Sequence, residues 1–229
     1  TMIVAEQKPF EEIKAKIEKA NKVLVVGCGT CVTVCFSGGE KEVGILASSL
    51  RMATKIDGNA KQFDEAMVQR QCEWEYLDTL KEKIGDYDLV LSLGCGIGVQ
   101  AIAEHFPNAR VAPGLNTAFL GLPTEQGVWQ ERCAACGNCI LDLTGGICPI
   151  ARCSKSLLNG PCGGSEAGKC ELSGKERTID CAWDMIVRKL MERGDLEKLL
   201  EIQPAKNWQT SRDGGPRRIS REDLTLAKE

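Results

Sequence analysis

Histidine is almost missing from this 229-residue chain: it occurs once, as His105. That leaves little for imidazole acid–base chemistry or mixed Cys/His zinc sites. His105 also lies outside an Asp-x-His-x-x-Gly setting, which argues against a corrinoid-binding methyl carrier; near a helix end it reads as a surface or capping residue. Aromatic residues are few, with four Trp, two Tyr and five Phe, and the formal charge is −3. A chain so short of stacking rings and basic excess is a poor nucleic-acid binder, which excludes a zinc-ribbon DNA reader. No apolar run approaches the roughly eighteen residues of a membrane span, and no charged leader followed by an apolar stretch opens the sequence. The expectation is a soluble, cytoplasmic protein of a reducing compartment. No nucleophile–base pair or acid–base dyad stands out, so no catalytic residue is assigned.

What the chain does have is cysteine, thirteen in all. Eight lie between 133 and 181: Cys133, Cys136, Cys139, Cys148, Cys153, Cys162, Cys170 and Cys181. Large apolar residues are sparse there and follow neither a period of 2 nor one of 3.6, so the segment lacks the means to build a core of its own. Metal is the expected substitute. The run Cys133-x2-Cys136-x2-Cys139 lets one loop wrap a compact object with several metal corners, whereas a tetrahedral zinc usually takes two separated C-x2-C knuckles. It also resembles the C-x2-C-x2-C-x3-C-P run of bacterial ferredoxins, with a longer gap before Cys148-Pro149. Eight thiols, a Cys-Pro pair and many glycines fit two [4Fe-4S] clusters. By the ferredoxin analogy, Cys133, Cys136 and Cys139 serve one cluster and Cys148 the other. Zinc is the alternative occupant of a site, all-thiolate because His105 lies elsewhere. A disulfide scaffold suits neither the compartment nor the C-x2-C-x2-C geometry.

The N-terminal half reads as alternating helices and strands. Residues 8–21 form an amphipathic helix with Phe10, Ile13, Ile17 and Ala20 on one face. The run KVLVVG (22–27) has the form of a buried parallel strand. A helix is predicted over 40–55, a second strand over 66–71, a helix over 74–84, a third strand over 88–93, a helix over 98–105 and a short strand over 109–112. This βαβαβαβ order implies a flavodoxin- or Rossmann-like parallel sheet with helices on both faces.

Two strands end in the same phrase, VLVVG-Cys28-Gly29 and VLSLG-Cys95-Gly96. In a parallel sheet of flavodoxin-like order, 2-1-3, the ends carrying Cys72 and Cys95 flank the end carrying Cys28. Cys28, Cys31, Cys35, Cys72 and Cys95 then gather at the crevice where open α/β sheets bind ligands. That is enough for a third metal site at Cys28, Cys31 and Cys95 with either Cys35 or Cys72, the spare being a small buried hydrophobe. Gly94, Gly96 and Gly98 also suggest a dinucleotide loop, but Val99 and Ala101 break G-x-G-x-x-G.

The strand–helix rhythm stops over 121–130, which reads as a linker. The expected division is an α/β domain over 1–123, a cysteine-rich ferredoxin-like iron–sulfur domain over 124–182, and C-terminal helices with a tail over 183–229. The first of those helices should stop at Gly194, and a short one should run to Leu200. Residues 205–229 read as a disordered tail or an arm laid over a partner.

The phrase NGPCGG (159–164) looks like the signature of the domain named for the C-terminus of methylenetetrahydrofolate reductases. With GCGTCVTVCFSGGEKEV (27–43), RQCEWEYL (70–77) and LSLGCGIGVQ (91–100), it resembles the MetV-like small iron–sulfur/zinc subunits of MetVF-type reductases. The resemblance implies an electron-transfer subunit for a flavin-bearing TIM-barrel partner, the MetF-like subunit, in the methyl branch of the Wood–Ljungdahl pathway. It implies electrons received from a ferredoxin or another redox subunit, and flavin and folate held by the partner alone. The competing expectation is a structural zinc subunit that carries no electrons.

Overall fold

The apolar run at residue 22 becomes β2 (Lys22–Cys28), a central strand buried from Val23 onward. The computed structural model describes residues 3–211, 215–221 and 223, and it divides into two compact units, Thr1–Gln130 and Glu131–Glu229. In the first, β2 pairs in parallel with β3 (Gln62–Val68) on one side and β4 (Leu89–Ser92) on the other; β5 (Val111–Pro113) follows β4. The order β3-β2-β4-β5 is the one the crossover reading requires. Successive side chains of β2 point to opposite faces. Val23 and Val25 pack with Ile13 and Ile17 and with Val43, Leu46 and Leu50 of α3 (Glu40–Ile56). Leu24 and Val26 pack with Leu77, Leu80 and Ala101 and Ile102 of α5 (Gly96–His105). Helices therefore cover both faces, as the run of consecutive apolar residues demands.

Several boundaries differ from the sequence reading. The first helix, α1 (Phe10–Lys16), is shorter than expected because Lys61 Nζ takes up the carbonyls of Glu18 and Ala20, at 2.8 and 2.6 Å, in place of another turn. Strand β3 starts earlier than 66 and ends at Val68: only Phe63, Ala66 and Val68 are buried in this edge strand, so its start carries no apolar run. Where a helix was expected over 74–84, α4 (Trp74–Leu77) passes into 3-10 turns at Asp78–Leu80 and Ile84–Asp86. Leu77 and Leu80, three apart, suit a 3-10 turn as well as an α-helix.

The linker reading of 121–130 is corrected. β6 (Leu115–Glu125) and β7 (Val128–Cys133) form a hairpin turning at Gly127 (φ +78°), and β1 (Ile3–Gln7) lies antiparallel along β6. Most side chains of β6 are exposed, so no apolar alternation marks it.

The second unit has little regular structure: α6 (Pro149–Arg152), the pair β8 (Ser165–Glu166) and β9 (Lys169–Cys170), and α7 (Ala182–Arg193). These are too few to assign a ferredoxin-like segment. Its core is one small cluster of Cys181, Trp183, Ile186 and Leu190, with Ile147, Cys153, Leu157 and Leu199 against it. Helix α7 stops at Gly194 in the left-handed region (φ +73°), the C-terminal glycine device. The first unit also has the short helix α2 (Cys31–Val34), and the second the 3-10 turn Leu196–Leu200. No helix among the described residues is long and apolar enough to cross a membrane.

The described part of 205–229 makes hydrogen bonds to the cysteine-rich loop of its own chain. Thr210 Oγ1 donates to Cys136 O at 3.0 Å, and Arg217 donates to Ala135 O and Thr210 O at 2.9 Å each. Residues 212–214, 222 and 224–229 of that call lie outside the described residues.

Candidate metal centres

All thirteen cysteines are free thiols. In the α/β unit they stand at the carboxyl edge of the sheet. Cys28 is the last residue of β2, Cys31 opens α2, Cys72 follows β3 by a short loop, and Cys95 caps α5 just past β4. Although Cys72 is exposed as a residue, protein packed around its thiol pushes its pKa up, and the neighbouring Cys95 and Cys28 thiols add to the shift. Cys28 and Cys95 are thus both close to Cys72. Cys35 goes elsewhere: it is 7 % exposed in the core, its Sγ 3.6 Å from Ala5 O and 3.3 Å from Ser37 Oγ. Its behaviour is that of a small buried residue with local partners.

The loops around the three thiols are stitched together. Gly29 N donates to Val68 O at 2.9 Å, Cys28 N to Gly38 O at 3.0 Å, and Leu93 N to Val26 O at 2.8 Å. Thr117 Oγ1 accepts from Gly96 N at 2.8 Å. Between the loops sits Gln71, wholly buried, which sequence reading passed over. A Cβ on Gly94 would stand 2.2 Å from Gln71 Oε1, and one on Gly98 would stand 2.9 Å from Gln71 Cβ. Two of the three glycines that suggested a dinucleotide loop, Gly94 and Gly98, are accounted for by that packing.

In the second unit, Cys133, Cys136, Cys139 and Cys148 line a single cavity of about 220 Å³, with Arg132, Pro149 and Ile150. Cys148, which the ferredoxin analogy assigns to another cluster, shares the cavity with the first three. Backbone N–H groups reach two of these sulfurs: Ala135 N donates to Cys133 Sγ at 3.3 Å and Ala151 N to Cys148 Sγ at 3.5 Å. The loop bends through left-handed Ala135 (φ +50°) and Gly137 (φ +82°), and a Cβ at Gly137 would meet Thr210 O at 2.1 Å. The Cys-Pro pair has a local reason as well, since Cys148 is the N-cap of α6 and Pro149 its first residue. Burial, then the nearby Arg132 charge, holds Arg152 below its usual pKa, so two guanidinium groups stand near this quartet.

The other four cysteines are gathered by different contacts. Cys153 and Cys181 share the small core. Cys170 N donates to Ile179 O at 2.8 Å and Cys181 N to Gly168 O at 2.9 Å, which sets Cys170 and Cys181 on adjacent lengths of chain. Lys155 pairs with Glu171, and its Nζ lies 3.9 Å from Cys162 Sγ. The motif 159–164 is built into this region. Asn159 and the Gln203 backbone exchange two hydrogen bonds of 2.8 Å. A Cβ on Gly160 would meet the Trp183 ring at 2.4 Å, and one on Gly164 would meet Glu171 Oε2 at 2.2 Å. Trp183 Nε1 donates to Leu157 O at 3.0 Å.

Residues 112–209 match the family described as methylene-tetrahydrofolate reductase C terminal. The match covers less than half of the chain and contains all eight C-terminal cysteines and NGPCGG. No curated protein and no solved structure matches the chain.

Among the described residues, no three Cys, His, Asp or Glu side chains crowd closely enough to hold a single ion. Thiols spaced around a cavity, with N–H donors and cations beside them, are a donor set that suits a cubane. A cubane carries its four ligands outward on separate irons, whereas a zinc draws them to one point. His105 stands apart from the cysteine sets: its Nε2 lies 2.9 Å from Asp78 Oδ1, and its ring stacks on Trp74.

Proposed function

We propose that this chain is a MetV-type, electron-carrying subunit of a methylenetetrahydrofolate reductase system. The observation that carries the reading is the cavity lined by Cys133, Cys136, Cys139 and Cys148 inside the stretch that matches that reductase family. These four would hold one [4Fe-4S] cluster, and Cys153, Cys162, Cys170 and Cys181 a second. Cys28, Cys31, Cys72 and Cys95 would hold a third, with Cys35 left in the core. When bound, such clusters supply one-electron storage and no proton chemistry.

The chain's own residues do the rest. The amides of Ala135 and Ala151 aim N–H donors at the sulfurs they reach, and Arg132 and Arg152 would offset the negative charge of a thiolate-bound cluster. The described residues contain no eight-stranded barrel, so flavin and folate would belong to a MetF-like flavoprotein partner. A ferredoxin or another redox subunit would deliver the electrons.

The test is anaerobic. The chain is reduced with dithionite, freed of excess reductant and mixed with the oxidised flavoprotein, and flavin absorbance is followed. Stoichiometric bleaching supports the reading. A colourless, zinc-loaded chain that leaves the flavin oxidised would overturn it in favour of a structural subunit.

A further inference from the structure

The α/β metal site rests on loops that leave three different strands, and one residue outside the cysteine set ties all three. Gln71 is 0 % exposed. Its Nε2 donates to Val26 O and Gly27 O, at 3.0 Å each, just before Cys28. Its Oε1 accepts from Ser92 Oγ at 2.7 Å, and Ser92 Oγ accepts from Gly94 N at 3.1 Å, one residue before Cys95. Its neighbour in the chain is Cys72. Both amide hydrogens and the amide oxygen are thus spent on backbone or side chain at the ends of β2 and β4.

Burying a carboxamide is costly unless its hydrogen bonds are made, and an apolar side chain would fill the same space without that requirement. What the amide adds is the tie itself. The glycines at 94 and 98 keep the room it needs, because a methyl group at either would collide with it.

We infer that Gln71 is the positioning residue of the α/β thiolate site, fixing the ends of β2, β3 and β4 so that Cys28, Cys72 and Cys95 stand together before metal enters. The inference rests on the reading of this edge as a metal site and deepens it. Gln71 touches no metal; it acts through the backbone that carries the ligands, as outer-shell groups do.

The test uses the full chain, purified anaerobically, with three variants. C95A identifies which part of the metal content and of the EPR spectrum belongs to this site. Q71M keeps the volume and removes the ties. It should retain the C-terminal signals while the α/β signal broadens or shifts and its metal is lost to a chelator roughly ten- to a hundred-fold faster. I17A, in the same unit but just before the amino end of β2, should lower stability without changing that rate. If Q71M does not fold, S92A, which cuts one arm of the network, should move spectrum and chelation rate in the same direction by less. If C95A loses no metal, the α/β site falls and Gln71's role with it. If C95A loses metal while Q71M or S92A keeps the wild-type spectrum and chelation rate, the α/β site stands and the role of Gln71 is overturned.

Discussion

The two units of this chain stabilise themselves by different means. The first distributes its large apolar side chains into two clusters on either face of a parallel sheet, including Ile13, Leu24, Leu50, Leu80, Leu91 and Ile102, all essentially inaccessible to water. Among its described residues the second has one small core cluster, Cys181, Trp183, Ile186 and Leu190. A fold with so little apolar burial needs another source of free energy, and metal held by its eight thiols is the source proposed above. On the proposed reading, metal would be an addition to the first unit and a structural requirement of the second.

Removing metal is the strongest way to break that comparison. Anaerobic chelation should unfold 133–181, seen as loss of amide-exchange protection there, while the strands of the α/β unit stay protected. C136A should have much the same effect on the second unit, with iron lost from its cavity. Equal loss of protection in both units would mean that the comparison is wrong.

Next in size come core truncations. W183A removes the ring that Gly160 packs against and the donor to Leu157 O, and should cost about 3–5 kcal/mol in the second unit. L91A in the first unit should cost about 2–5 kcal/mol without loss of metal, read from chemical denaturation with iron analysis. Cysteine replacement sharpens the contrast inside the α/β unit: C72A should release the metal of that site, and C35A should keep it.

How far these contrasts were legible in the sequence depends on the signal. The continuous apolar runs at 22 and 88 read directly as buried parallel strands, and with them came the strand order and the convergence of Cys28, Cys72 and Cys95. Edge elements were not legible: β6 exposes most of its side chains, and β1 is five residues long. The core position of Cys35 was closed to sequence reasoning because it turns on a contact with Ala5, thirty residues away. Gln71 was missed because a lone glutamine carries no motif. The one available hint was the pair of glycines at 94 and 98, which a dinucleotide fingerprint only partly explained.

A smaller effect tests the last turn before β2. The Asp88 carboxylate accepts the Lys22 and Asn21 N–H groups, at 2.9 and 2.8 Å, and these bonds hold its pKa below the usual carboxylate value. Because the folded-state pKa is depressed, this contribution is present above the unfolded pKa and is lost as pH falls through the folded one. D88N should therefore flatten the acid limb of the α/β unit's stability profile and leave the cysteine-rich unit unchanged.

The most direct test of the central claim is the iron, zinc and acid-labile sulfide content of anaerobically purified protein, with EPR spectra before and after dithionite. Two or three clusters correspond to about eight to twelve irons per chain with matching sulfide and a reducible cubane signal, and that is the result expected. Zinc without sulfide, and a spectrum that dithionite leaves unchanged, would contradict it.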